Sequence, residues 1–183
     1  MKKFLFTKIL GVFFVLVGFT WNISAQSGIF TKGDMAVNAG VGLGSYISDK
    51  GFAMTVPPIS ASFEYCVADL FDEKGAIGVG GYAGYLLRKS NGNISFNVGD
   101  FIIGPRGLFH YQFVDKLDTY AGLLIGYDVV SFSKTDETYP LTGSGFYSAF
   151  FIGARYYITK NIGVFGELGY GVSPLQLGLC CKF

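Results

Sequence analysis

The sequence predicts an all-β fold, an eight-stranded antiparallel up-and-down β-barrel that spans a membrane, on three observations. The final stretch alternates without a break: Leu175, Leu177, Leu179, Cys181 and Phe183 share one face, and Gln176, Gly178, Cys180 and Lys182 the other. A period of two belongs to a β-strand with unlike faces. Half of the residues, 50%, are hydrophobic and only 15% are charged, beside 27 glycines; soluble surfaces commonly carry ~25–35% Lys, Arg, Glu and Asp. Beyond residue 25, no apolar run approaches the ~20 residues that a membrane helix needs. A closed barrel is the other structure that satisfies every backbone group in lipid.

The front of the chain has a different character. Lys2, Lys3 and Lys8 precede an uncharged apolar run from Ile9 to Phe19. That run is too short to span a bilayer and fits the apolar core of a secretory signal. Cleavage after Ile23-Ser24-Ala25 divides the chain into a signal peptide, 1–25, and a barrel domain, 26–183, starting at Gln26. Loss of the three lysines turns 14 basic against 13 acidic residues into 11 against 13. A balance of that sign gives no basic face for nucleic acid.

The strands follow in order. Met35–Leu43 alternates, with Val37, Ala39 and Val41 outward; 44–55 is rich in loop residues. The second strand begins after Pro57-Pro58, where proline is tolerated, and sets Phe63 and Tyr65 outward against Ser62, Glu64 and Cys66 inward. After a turn over 69–75, the third strand carries Ile77, Val79 and Tyr85 outward over inward Gly78, Gly80, Tyr82 and Gly84. A polar loop is expected over 88–99. The fourth strand runs to Phe113 with Arg106, Leu108, His110 and Gln112 inward, and Pro105 predicts a bulge or bend within it. Past a turn over 115–118, the fifth strand sets Leu123, Ile125 and Tyr127 outward, and a long loop covers 131–144. The sixth strand places Ile152 and Tyr156 outward and Arg155 inward; the seventh places Val164 and Leu168 outward and Glu167 inward. Long loops and short turns thus alternate, as in membrane barrels. Only the last connection on the loop side, 171–174, is short.

A soluble barrel would turn the other face to water. That face is mostly Gly, Ala and Ser with isolated charges, a poor soluble surface. Outward aromatics also gather at strand ends: Tyr65, Tyr111, Tyr156 and Phe183 at the turn side, Tyr85, Tyr127 and Tyr170 at the loop side. Amphipathic rings concentrate at membrane interfaces in this way.

Several short stretches carry a family resemblance: Arg106-Gly107 with His110, Gly153-Ala154-Arg155-Tyr156-Tyr157, Asn161-Ile162-Gly163-Val164, Glu167-Leu168-Gly169-Tyr170-Gly171 and the ending Leu177 to Phe183. The chain resembles the small Gram-negative outer-membrane β-barrels often termed porin-like, of the OmpX type and the OmpA membrane-domain type. The resemblance implies a monomer in the outer membrane with both termini periplasmic. It also implies insertion by the barrel assembly machinery, with terminal Phe183 as the assembly signal. Cys180-Cys181 departs from the pattern, where a small polar residue and an aromatic one are expected.

The inward charges Glu64, Arg106, Arg155 and Glu167, with His110, form the candidate interior cluster. At ~2.5 Å of height per tilted residue, the four charges fall within about 12–13 Å vertically. Glycines on the third strand leave room for Glu64 and Arg106 to reach across it. Eight strands leave space only for side chains, and buried charges require partners, so a paired plug is expected in preference to an ion path. His110 is the only histidine, and no inward Ser or Asp is evident beside it as a catalytic partner. Cys66 and Cys180 both point inward, but the first strand separates them by about 9–10 Å, too far to bridge. Asn93-Ile94-Ser95 matches a glycosylation pattern by chance. The expected protein is non-enzymatic and needs no cofactor or metal, with a structural or surface-interaction role. A narrow porin-like channel or carrier for small solutes is the alternative.

Overall fold

The structure is a computed structural model that describes residues 29–47, 52–90, 96–134, 137–140 and 143–183. The expected signal peptide and the Asn93 pattern lie outside these residues. The described residues form nine antiparallel strands: β1 Met35–Leu43, β2 Phe52–Leu70, β3 Gly75–Ser90, β4 Asn97–Val114, β5 Leu117–Lys134, β6 Glu137–Pro140, β7 Gly145–Tyr157, β8 Ile162–Tyr170 and β9 Leu175–Lys182. Eight of them close in the order β4-β3-β2-β1-β9-β8-β7-β5, and β4 pairs β5 to complete the ring. The ninth, β6, folds back on the end of β5 (Ser131↔Pro140 to Lys134↔Glu137) within the stretch expected to be loop.

The alternation seen in the sequence is the alternation of the wall. Outward Phe63, Leu123, Ile152, Leu168 and Leu179 are exposed, while inward Glu64, Leu124, Arg155 and Cys180 are buried. The outward aromatics stand clear of the wall; Phe113 is 74% exposed and Phe146 75%. A barrel with an apolar outside and ion pairs inside inverts the soluble arrangement and matches lipid as its surroundings.

The barrel is uneven in height. Strands β2 to β5 have 16 to 19 residues, against 9, 9 and 8 for β1, β8 and β9. The sequence reading began β2 and β4, and ended β3 and β5, too close to the membrane. Charges such as Arg88 and Asp100 look like loop residues, yet they form an ion pair inside the taller wall. Pro57 and Pro58 therefore lie within β2, where the register against β3 shifts between Val56 and Ile59. They fall beyond the last β1 partner, Val41↔Ile59, on a free edge that needs no N–H. Pro105, by contrast, makes no bulge. It pairs Gly81 in an unbroken β3–β4 register, and Ile103↔Tyr127 and Arg106↔Leu124 keep one register with β5.

The turns are tight and use left-handed backbone at non-glycine residues, Phe71, Asp72 and Glu73 in one and Lys116 in another. The turn expected over 115–118 is shorter, because β5 starts at Leu117. On the opposite rim, the short connection 171–174 folds inward. Val172 is buried with Tyr82, Leu86, Ile102 and Leu124, and the Ser173 hydroxyl donates to the Leu43 and Leu175 carbonyls at 3.1 and 2.8 Å.

The seam runs from Ala36↔Lys182 to Leu43↔Leu175 and continues past the strands. The Met35 N–H donates to the Phe183 carbonyl at 3.1 Å, and the Phe183 N–H to the Met35 carbonyl at 2.8 Å. Deleting Phe183 removes both bonds at the point where two open edges must join. The truncated chain is expected to reach the membrane in much lower yield than a chain lacking Thr138. Heat-modifiable gel migration of the membrane fraction checks this; equal folded yields would refute it.

Candidate functional site: the interior polar cluster

The interior charges sort into three groups stacked along the lumen. Nearest the turns, Arg155 on β7 has no solvent exposure. Its guanidinium donates to Glu64 on β2, to Asp118 Oδ2 on β5 at 3.1 Å and to Asn38 Oδ1 on β1 at 3.1 Å. Asn38 in turn donates to Ser62 Oγ at 3.0 Å. His110 on β4 lies between the two acids, with Nδ1 2.8 Å from Asp118 Oδ1 and Nε2 on Glu64 Oε1. A ring with a carboxylate at each nitrogen is suited to donate from both, as the doubly protonated form does. Two cations then face two anions.

Local sequence provides the room. A Cβ at Gly78 would run into the Glu64 carboxylate, so the acid lies flat over β3 because that position has no side chain. Gly153 does the same for the Tyr120 ring, whose atoms would approach within 2.5 Å of a Cβ there. Tyr120 in turn lies 4.7 Å from the Arg155 guanidinium carbon, measured to the ring centre.

The second group is Arg106 on β4 with Glu167 on β8, 2.7 Å apart. The Tyr120 hydroxyl donates to the same Glu167 oxygen at 2.9 Å, and the Phe151 ring stacks under the guanidinium at 4.2 Å. A pocket of about 30 Å³ beside Arg106, Glu167, Tyr82 and Gln176 has room for one or two waters. The third group is the fork of Arg88 on Asp100, at 3.0 and 2.8 Å, with Arg88 also donating to the Ile47 carbonyl at 2.6 Å. Between the second and third groups lies the apolar layer of Tyr82, Leu86, Ile102, Leu124 and Val172.

The five residues singled out from the sequence all sit in the lumen and are buried, but as two groups rather than one. Arg106 does not reach over β3 toward Glu64; it crosses to Glu167. Asp118 and Asn38 were missed. Asp118 sits one residue inside β5 and reads as part of the turn, so His110 was judged to have no acidic neighbour. Arg88 fell in the expected loop, and Asp100 between that loop and the expected start of the fourth strand. An inward parity count carried two residues further along each strand would have found Asp118, Arg88 and Asp100; Asn38 already lay on the inward face. Both ring nitrogens of His110 contact carboxylates, and among the described residues no nucleophile lies on either. All three cysteines are free, with Cys66 and Cys180 buried.

This architecture is a closed eight-stranded antiparallel β-barrel with an apolar exterior and ion pairs on its inner face. Neither a family model nor a curated protein sequence matches the chain. Solved structures do. The attachment invasion locus protein Ail of Yersinia pestis, crystallised with the heparin analogue sucrose octasulfate, is similar at 15% identity and a TM-score of 0.54, over 84% of this chain and 100% of that one. The outer-membrane protein OprG of Pseudomonas aeruginosa is similar at 12% identity and 0.47, over 84% and 97%. The N-terminal β-barrel domain of OprF from the same organism gives 14% and 0.46, over 83% and 98%. The likeness to Ail carries the comparison, and what it carries is the fold.

Removing one member of a buried pair strands the other, typically at a cost of about 3–5 kcal/mol. Arg106→Ala is therefore expected to destabilise the folded barrel by an amount in that range. Glu167→Gln in the same chain should recover part of the loss, and Glu64→Gln should not, because Glu64 serves Arg155 and His110. Urea unfolding in detergent followed by far-ultraviolet circular dichroism checks the pairing. Equal rescue by both second changes would refute it.

Proposed function

We propose that the chain is an integral outer-membrane β-barrel, monomeric and non-enzymatic, whose interior is filled and whose role is structural or surface-interacting. The observation that carries this reading is the paired Arg155 cluster, with the Arg106–Glu167 pair and then an apolar layer above it. An ion crossing the lumen would have to part a four-group ion pair and then pass Leu86, Ile102 and Val172. Eight strands leave little space beyond their own side chains. The taller wall of β2 to β5 supports a role at the surface, since it rises past the aromatic belt and offers polar faces to water.

In this reading both termini are periplasmic and the short turns face the same compartment. Phe183 presents the closing strand to the barrel assembly machinery, and the lipid bilayer is the obligate partner. The five interior residues Glu64, Arg106, His110, Arg155 and Glu167 serve stability in place of chemistry.

Two measurements test it. In a planar bilayer, the refolded barrel is expected to be electrically silent; steady ion-selective openings would favour the narrow channel instead. On intact cells, a membrane-impermeant thiol reagent is expected to label a cysteine placed at Thr138 and to spare one placed at Lys160. The reverse pattern would overturn the orientation.

A further inference from the structure

The segment before β1 is not a free leader. Phe30 is 4% exposed and lies in the turn-side mouth against Ala36, Cys66 and Ala76. Its ring centre is 4.7 Å from that of His110, with the Arg155 guanidinium carbon at 5.6 Å. Ile29 packs on the opposite side, against the cluster of Tyr157, Phe165 and Cys180. Polar ties run to three strands. The Ile29 N–H donates to Gln112 Oε1 on β4 at 3.0 Å, and the Lys32 N–H to Asp69 Oδ1 on β2 at 2.6 Å. Lys182 Nζ on β9 donates to the Ile29 carbonyl and lies 3.4 Å from Asp34. The Gly33 N–H adds a second tie to β2, donating to the Cys66 carbonyl at 3.0 Å, and the segment braces itself through the Thr31 N–H on Asp34 Oδ2 at 2.9 Å.

We propose that the turn-side mouth is a peptide socket whose ligand is the chain's own segment 29–34, a latch that seats only once β9 has closed on β1. The walls of the socket come from both ends of the chain: Cys66, Asp69, Ala76 and Gln112 from the first four strands, Lys182 from the last. Before closure the wall that takes Phe30, on β1 to β3, is apart from the wall that takes Ile29, on β7 to β9, so the segment cannot be held from both sides. After closure, Lys182 holds Ile29 and Asp34 across the seam, so the latch ties the last strand to the first. The proposal rests on the closed, filled barrel and not on its cellular location, and a loose latch would leave the interior ion pairs intact.

Cys66, buried under Phe30, reports the latch directly. In a chain carrying Cys180→Ser and Cys181→Ser, Cys66 is the only thiol. A water-soluble maleimide is expected to leave it unlabelled in the folded barrel over a period in which urea-unfolded chain labels fully. Phe30→Ala should speed labelling at least tenfold while the chain still migrates as a folded barrel, and Phe30→Leu should restore most of the protection. Lys182→Ala, which cuts the ties from β9 and leaves Phe30 in place, should also speed it, and carries the test if Phe30→Ala does not fold. Protection unchanged in folded Phe30→Ala, or in Lys182→Ala, would overturn the proposal. A silent bilayer beside a freely labelled Cys66 would separate failure of the latch from failure of the filled-barrel reading.

Discussion

The constraint on which the rest of this structure depends is the Arg155 guanidinium, a permanent charge with no exposed surface. Taking such a group out of water costs several kcal/mol unless it is fully paired, and here the cluster draws on most of the ring. Glu64 comes from β2, Asp118 from β5, Asn38 from β1 and His110 from β4, while β3 contributes by having glycine at position 78. A one-residue slip of any of these strands would turn its polar side chain to lipid and an apolar one to the cluster. The cluster therefore selects the register of most of the barrel at once, a demand that apolar packing between similar aliphatic side chains states much less sharply.

The wall was legible in the sequence, and the interior only in part. Parity along a strand assigns each side chain to a face, so Glu64, His110, Arg155 and Glu167 could be placed inward from residue order alone. Parity says nothing of which way a long side chain then leans. Arg106 has neighbours on both sides and a lumen in front, and it turns to Glu167 because Phe151 offers a ring beneath the guanidinium while Glu64 is already engaged. Asp118 and Arg88 were missed for another reason. Polar residues near strand ends are ambiguous between a solvated turn and the inside of a wall that outlasts the membrane. Phe30 gave no signal of its own, since it precedes the alternating pattern and its partners are set by closure.

The two rims are covered by different means. At the turn side the cover is an aromatic ring over an ion pair, an arrangement in which the ring face and the guanidinium attract. At the loop side, Val172 and Ile47 lie on an apolar layer, with Arg88 anchored to the Ile47 carbonyl above it. The interior thus alternates polar and apolar along its axis, and each arginine lies against an aromatic ring.

The unequal strand lengths have a mechanical consequence for the surrounding lipid. At ~2.5 Å of height per residue, β1, β8 and β9, with 9, 9 and 8 residues, give a wall of about 20–22 Å. That is shorter than the ~25 Å apolar band usual for such barrels. On the side of β2 to β5 the acyl chains meet a wall taller than themselves. Beside the seam they must shorten, and a bilayer yields to a short span by thinning next to it. The protein is thus a wedge as well as a cylinder. The thinnest ring of membrane lies along the line where the first and last strands meet, where a nascent barrel would find the least lipid to displace as it closes.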